Sequence, residues 1–505
     1  MALTPNCKQV DAKLRKFLST ENVTIPVNIV SNGFSIKQVL SINALPSVQN
    51  VVSTNGNADV SGNIAIKVLV LNEDKEYRVL QESVTFNVHL QDVDILENSK
   101  IFTIPKLLEV RSIVANENNV SFNVVVGLTS YLVKSQNFGY IESIDTLAQQ
   151  KYNTIEYSDV TTNLSQNFEL STEVNLPNNA SNILFMGGNA VLDNCISNTD
   201  IITLNGKIFA SVIYLTNEET PKLKSQNYTI EFNQEVLATG VTNEAQTVAN
   251  ITLSGLSYEV QGELSGSKGV LVVKSTLDAN ILACQKHTIE SVADAFCPKY
   301  SLNFQTSNFL TQNNILENLS EKVDGSLTLS NDVRIDKILC VSNTYTTHTI
   351  TKSEQGFVLN GIVFANVIYQ LDDDNNTVGA ILAELPFTKT LDNQSNDVDD
   401  VNICVKEIEA RSKRVKDIDI QADLVLTINY SQNISQSIIS NVSLGDKLQE
   451  TYKPLGVYIV NNVSELWDVA KSLRISPEVV MAQNPNLTFP ITQPTNILIY
   501  RQRMQ

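Results

Sequence analysis

The sequence predicts a mainly β protein in which three tandem β-sandwich- or barrel-like repeat units precede a small βααβ domain. The stretch LNGKIFASVIY at Leu204–Tyr214 recurs as LNGIVFANVIY at Leu359–Tyr369, and a looser copy, SGNIAIKVLVL, lies at Ser61–Leu71. Apolar residues alternate with mixed ones in each copy, which is the period of a half-buried strand. From about Pro454 the alternation gives way to two short segments of helical spacing.

Length and composition indicate an ordered chain of several domains. At ~100–200 residues per domain, the 505 residues predict roughly three or four. Hydrophobic residues make up 42% of the chain, which is enough for packed cores. Charged residues make up 18%, below the ~25% of ordinary soluble domains. Asn, Ser, Thr and Gln make up the difference, so we expect a neutral polar surface.

The net charge of −18 argues against a nucleic-acid partner, because phosphate contacts need clustered Lys and Arg. The only basic cluster lies at Arg411–Lys416. No run of about 18 apolar residues suggests membrane insertion, and the first residues lack the apolar core of a secretory signal. We therefore expect a protein that stays on the cytoplasmic side.

Each unit follows one order of elements. An upstream strand precedes the recurring strand, an acidic or Asn-rich turn follows it, and a second strand then ends at Phe86, Phe232 or Phe387. This order predicts the same hairpin three times. The Gly that opens each recurring strand indicates a bulge or a close backbone approach. The units are placed at 1–150, 151–299 and 300–452. Few long segments in them have helical spacing, and Val10–Leu18 is the best candidate for a helix.

The last domain, 455–502, has the order β-α-α-β. A strand at Val457–Val460 precedes a helix at Glu465–Leu473 that Ser464 is expected to cap. Ser476-Pro477-Glu478 then opens a second helix, because Pro suits the first helical position and an acid suits the positive end of the dipole. A strand at Ile497–Tyr500 closes the domain. Trp467, the only Trp, is expected in the core against the two-stranded sheet.

Two resemblances rest on these motifs. Leu466-Trp467-Asp468-Val469-Ala470 resembles the L-W-x-I-A signature of LysM modules. The Gly-led strand, acidic turn and Phe-ending strand resemble the SPOCS domain of spore-coat proteins, and several SPOCS domains followed by one LysM are typical of coat morphogenetic proteins. The resemblance implies a non-enzymatic scaffold, made in the mother cell and recruited by its LysM to a coat or forespore-surface protein. By family resemblance that partner is the ATPase of the coat basement layer, and self-assembly is a further option.

In LysM modules the ligand lies between two loops. The resemblance therefore assigns partner or glycan binding to Asn461, Asn462, Val463, Ser464, Glu465, Asn484, Pro485, Asn486, Leu487, Gln493 and Pro494. Two departures favour a protein partner: Val463-Ser464-Glu465 stands where glycan-binding modules have Gly-Asp-Thr, and Gln493–Asn496 replaces the usual Pro-Gly turn. Losing that Gly removes an easy positive-φ position. The alternative is an envelope protein that binds peptidoglycan or another N-acetylglucosamine glycan.

No motif predicts catalysis, and we expect no enzyme, cofactor or metal. The three histidines and six cysteines are scattered without metal-ligand spacing, so reduced thiols are expected. Asp372–Asn376 resembles a calcium loop only superficially. Its sixth position is Thr377 and its twelfth is Ala383, where a calcium loop needs Gly and Glu, so a solvated turn is the favoured interpretation.

Overall fold

The fold is mainly β. The computed structural model describes residues 3–500 apart from 32, 146, 178, 220, 263–268, 330–333, 355, 374–375, 392–396, 415, 450–454 and 461. The elements are β1 (Pro5–Val30), β2 (Ile36–Thr54), β3 (Asn57–Asn72), β4 (Tyr77–Gln91), β5 (Ile101–Asn116), β6 (Asn119–Ile144), β7 (Gln149–Asn175), β8 (Ala180–Asn198), β9 (Ile201–Thr216), β10 (Leu223–Leu237), β11 (Gln246–Gln261), β12 (Val270–Phe296), β13 (Tyr300–Thr328), β14 (Ile335–Ser353), β15 (Gly356–Leu371), β16 (Val378–Leu391), β17 (Asp397–Ser412), β18 (Asp417–Lys447), β19 (Leu455–Val460), α1 (Leu466–Leu473), α2 (Pro477–Gln483) and β20 (Thr495–Tyr500).

The first eighteen strands form three blocks of two antiparallel sheets each. In block 1 the sheets have the orders β2-β3-β4 and β1-β6-β5. Block 2 has β8-β9-β10 and β7-β12-β11, and block 3 has β14-β15-β16 and β13-β18-β17. The second, third and fourth strands of a block therefore form one sheet, and its first, sixth and fifth strands form the other. The recurring stretch provides the centre strand of the first sheet in each block.

A hydrophobic core lies between the two sheets of each block. In block 2 one face of β9 enters this core, with Ile208, Ala210 and Val212 almost fully buried. In the second half of β9 the opposite face is buried as well, because Ile213 packs outside the block. A half-buried strand was predicted here, and packing between blocks is what buries the second face.

The three blocks close on one another in a ring. The fifth strand of each block contacts the second strand of another block: β11 contacts β2, β17 contacts β8, and β5 contacts β14. A hydrophobic cluster between the blocks contains corresponding residues from all three, namely Leu40, Leu184 and Leu339 from the second strands and Leu69, Ile213 and Ile368 from the third strands. Each block is therefore packed against both of the others.

The predicted helix at Val10–Leu18 is wrong, because these residues lie inside strand β1. They pair antiparallel with β6, where Phe17 lies opposite Tyr131, and a register shift separates Phe17 from Ser19. Ala12 and Arg15 are buried between neighbouring strands. Tertiary pairing with a long partner strand overrides the weak helical spacing of this stretch.

The Gly that opens each recurring strand lies opposite the Phe that ends the next strand. Gly206 pairs with Phe232, and the same pairing joins Gly62 to Phe86 and Gly361 to Phe387. The ring covers the glycine so closely that a Cβ on Gly206 would lie 2.4 Å from the Phe232 Cζ and 2.2 Å from the Val191 carbonyl oxygen. Aromatic residues commonly cover strand glycines in this way. The predicted close approach is therefore present, and in blocks 1 and 2 the second strand also bulges beside the glycine.

The C-terminal segment forms a small βααβ module. Strands β19 and β20 pair antiparallel, and Val469, Ala470 and Val480 of the helices pack on the buried side of this hairpin. Helix α2 begins as predicted, with Pro477 at its first turn and the Ser476 side chain accepting the Val479 N–H. Helix α1 differs from the prediction, because its N-cap residue is Glu465 instead of Ser464.

Candidate functional site

The C-terminal module is docked on block 2 through Trp467. Its indole Nε1 donates to Asp294 Oδ2 at 2.8 Å, and its ring lies 5.2 Å from that of Phe296, centroid to centroid. Lys471, one helical turn later, places Nζ 2.7 Å from the same carboxylate. Asp294 and Phe296 belong to β12. Trp467 is therefore half-buried where the hydrophobic core of the module meets Phe296 of block 2, while Val469 and Ala470 of the same helix are fully buried.

Most of the predicted loop residues lie at the surface of the module. Val463 is 73% exposed, and Asn462, Glu465, Pro485, Asn486, Gln493 and Pro494 are exposed as well. Ser464 and Leu487 are half-buried. Ser464 and Ile491 exchange two backbone hydrogen bonds, which tie the loop before α1 to the segment before β20. Asn461 lies outside the described residues.

Asn484 differs from the other loop residues, because its side chain is buried and fully engaged. Its amide nitrogen donates to the Val480 and Leu498 carbonyl oxygens at 3.0 and 2.8 Å, and its Oδ1 accepts the Leu498 N–H at 2.8 Å. These bonds join α2 to β20. The amide of Asn484 therefore supports the module and offers no free group to a ligand.

The hairpin of the module has an exposed apolar side that sequence reasoning missed. Five apolar side chains lie on the surface of the hairpin opposite the helices, and each is between 52% and 64% exposed: Leu455, Val457, Ile459, Leu498 and Tyr500. Asn496, opposite Ile459, is the one polar residue of this set of cross-strand neighbours. We call these five apolar residues the outer face. The period-two alternation of β20 was the only signal for it, since Ile497 and Ile499 turn inward and leave Leu498 and Tyr500 outside.

A group of charged side chains lies between blocks 1 and 3. The Arg15 guanidinium stacks 3.8 Å above the Tyr131 ring and lies 3.5 Å from Asp399 Oδ2. The Tyr131 hydroxyl donates to the Asp399 carbonyl oxygen at 3.0 Å. Buried charges need such partners, because an unpaired one would lose its hydration without compensation. These contacts join residues that are distant in sequence, so no local motif could have predicted them.

Lys106 and His348 form a second polar contact between the same blocks. The Lys106 Nζ lies 3.1 Å from His348 Nδ1. Burial lowers the pKa of Lys106 to about 8 and, together with the nearby Lys106 charge, the pKa of His348 to about 3. His348 is therefore neutral in the folded protein at neutral pH and accepts a hydrogen bond from Lys106.

This neutral histidine predicts a loss of stability in acid. The unfolded chain binds a proton at His348 below its ordinary pKa of 6.5, and the folded chain does not until about 3, so stability falls as pH drops through this window. Between pH 6.5 and 5 the cost is about 2 kcal/mol, at about 1.4 kcal/mol per unit. Denaturant midpoints at pH 7 and pH 5 should therefore differ less for His348→Gln than for the wild type. If the midpoint changed by the same amount between pH 7 and pH 5 in both proteins, this account would be contradicted.

The described part of the chain meets neither the requirements of a metal-binding cluster nor those of a membrane-spanning helix. No cluster of three or more His, Cys, Asp or Glu could hold a metal ion there. In the turn that resembles a calcium loop, the Asp373 carboxylate accepts from the Thr377 N–H and hydroxyl at 2.7 and 2.5 Å, and residues 374–375 lie outside the described set. No described helix is long and apolar enough to span a membrane.

Comparisons with protein-family models, with curated proteins and with solved structures found no match to this chain.

Proposed function

We propose that the chain is a non-enzymatic structural scaffold of the spore coat, recruited to the forespore surface by protein contact through its C-terminal module. The outer face is the observation that carries this proposal. Five large apolar side chains stand exposed side by side on one small sheet, and such clustered exposure is typical of interaction sites. The partner is a protein with a complementary apolar surface.

The placement of the module supports this choice of surface. Trp467 and Lys471 already occupy the helix side by contacting block 2. The hairpin is therefore turned away from that contact. The outer face carries no charge, although the chain as a whole has a net charge of −18. An uncharged apolar surface suits contact with another protein better than contact with a polyhydroxylated glycan.

The three blocks support a role as an inert body. The identical strand order and the meeting of corresponding residues between blocks are what three copies of one SPOCS-like domain would produce. We propose that they are such copies, and that the module is a LysM repurposed for protein binding. The ring would then provide a rigid base that holds the outer face in one orientation.

Point variants test the proposal better than deletion of the module, because deletion would uncover Phe296 on β12. Val457→Lys and Leu498→Lys place charges on the outer face at exposed positions, so the module should stay folded. In sporulating cells, a fluorescent fusion carrying either change alone, the outer-face variant, should lose localisation to the forespore. The matched control is Asn486→Lys, which adds the same charge to the exposed loops.

The opposite pattern would favour the glycan alternative. If Asn486→Lys abolished localisation and sedimentation with purified peptidoglycan, while the outer-face variant behaved as wild type, the module would bind glycan through its loops. Normal localisation of the outer-face variant would overturn the proposed docking surface. Thermal unfolding of both variants should match the wild type, which separates loss of binding from loss of structure.

A further inference from the structure

A cavity of about 140 Å³ lies where the three blocks meet. Apart from Thr129 of β6, its wall comes from the second and fifth strands of every block: β2, β5, β8, β11, β14 and β17. The site therefore exists only in the closed ring. It is separate from the C-terminal module, so ligand binding in this cavity and the proposed docking function are independent of one another.

Two opposite charges line this cavity. Lys106 comes from β5 of block 1, and Asp400 comes from β17 of block 3. Both side chains are surrounded by protein atoms. Each still has some solvent-accessible surface, because it borders the cavity. They attract one another, but these two described residues form no direct ion pair. Two buried opposite charges that do not touch leave room for a group that bridges them.

Each charge has only part of its hydrogen-bonding capacity used by the protein. The Lys106 Nζ contacts His348 Nδ1 at 3.1 Å and, at the long distance of 3.5 Å, the Val401 carbonyl oxygen. An ammonium group has three donors, so one remains. Burial raises the pKa of the Asp400 carboxyl, and the nearby charges of Lys106 and Arg15 and the Val401 backbone N–H oppose that rise. A carboxylate can accept about four hydrogen bonds, so most of its capacity is open.

Neutral amides complete the polar part of the wall. Asn43 is only 6% exposed, and no described residue hydrogen-bonds its side chain. Asn250 accepts a bond from Asn429 through Oδ1, which leaves its own amide nitrogen as a donor toward the cavity. Leu45 and Ile104 form an apolar part of the same wall.

We propose that this cavity binds a small zwitterion, such as a free α-amino acid with a short side chain, with its carboxylate on Lys106 and its ammonium group on Asp400. Neither Lys106 nor Asp400 has a direct ion-pair partner among the described residues, so a simple anion would pair only with Lys106 and a simple cation only with Asp400. Because a water needs about 10–15 Å³ of such volume, the cavity holds on the order of ten water-sized groups, which suits a molecule of this size. The apolar wall takes the short side chain, and Asn43 and Asn250 bond the charged ends.

The test is calorimetric titration of the full chain with glycine and with L-alanine. Saturable binding is expected, and both amino acids should raise the temperature of thermal unfolding. Lys106→Met and Asp400→Asn should each weaken binding at least tenfold. Lys67→Met is the control, because Lys67 is another largely buried lysine, bonded at 2.8 Å to the Leu256 carbonyl oxygen and not part of this wall.

Several results would overturn the proposal. It fails if neither amino acid binds the wild type, or if binding survives in both charge variants. It also fails if acetate or methylammonium, each carrying one of the two charges, binds as tightly as glycine. Removing one buried charge can also unfold the ring, so circular dichroism of each variant is measured first. Asn43→Ser keeps both charges and should weaken amino-acid binding severalfold. This variant therefore tests the site even if the charge variants do not fold.

Discussion

Gly206→Ala is expected to destabilise block 2 by about 2–3 kcal/mol, because the added Cβ has no room. It would lie 2.2 Å from the Val191 carbonyl oxygen and 2.4 Å from the Phe232 Cζ. The ring could turn away, but the backbone oxygen cannot move without shifting β8. Overpacking of this kind costs about 1–3 kcal/mol, and a backbone clash places it at the upper end. Denaturant unfolding followed by far-ultraviolet circular dichroism measures the change.

Gly456→Ala is the matched control for this experiment. Gly456 also lies in a strand, and no atom lies within 4 Å of the position that its Cβ would take. Its replacement should leave the midpoint unchanged or raise it slightly, because alanine has less conformational freedom to lose on folding. If both variants unfolded at the same denaturant concentration, the close Gly–Phe approach would not matter for stability.

Asp294→Ala is expected to release the C-terminal module from block 2. The variant loses the Trp467 hydrogen bond and the Lys471 contact together. A hydrogen bond to a charged group contributes about 1.5–3 kcal/mol, whereas the partly exposed Lys471 pair adds little. Because Trp467 is the only Trp, its fluorescence reports this contact alone, and its emission should shift to longer wavelength as the ring becomes exposed.

The control for the docking experiment is Asp193→Ala. Asp193 also pairs with a lysine, Lys207 at 3.3 Å, but it lies on β8, away from Trp467. This variant should leave the emission unchanged. An emission spectrum of Asp294→Ala identical to that of the wild type would mean that the module does not depend on this carboxylate for docking.

The recurring stretch predicted the centre strands well, because it alternates with a strict period of two and because Gly and Phe keep their places in all copies. The second strands and the C-terminal βααβ order were also accessible from local patterns. Strand β1 was mistaken for a helix over Val10–Leu18, since its polar and apolar residues are mixed and only pairing with β6 decides its conformation.

The sites between blocks could not be predicted from the sequence. Lys106 and Asp400 are far apart along the chain and carry no motif, and only closure of the ring brings them to one cavity. Trp467 illustrates a different limit. Its place in a LysM-like signature indicated a helix, but which side of that helix would meet block 2 depended on Asp294, and nothing near the signature pointed to that residue.

The closed ring has a consequence for how the chain withstands proteases. A single cut between β6 and β7, or between β12 and β13, severs only one covalent connection. The freed ends stay in place, because each block also packs on both remaining blocks through contacts such as those of β2 with β11 and β5 with β14. Nicked molecules should therefore migrate as one species on a native gel and fall apart into fragments only after denaturation.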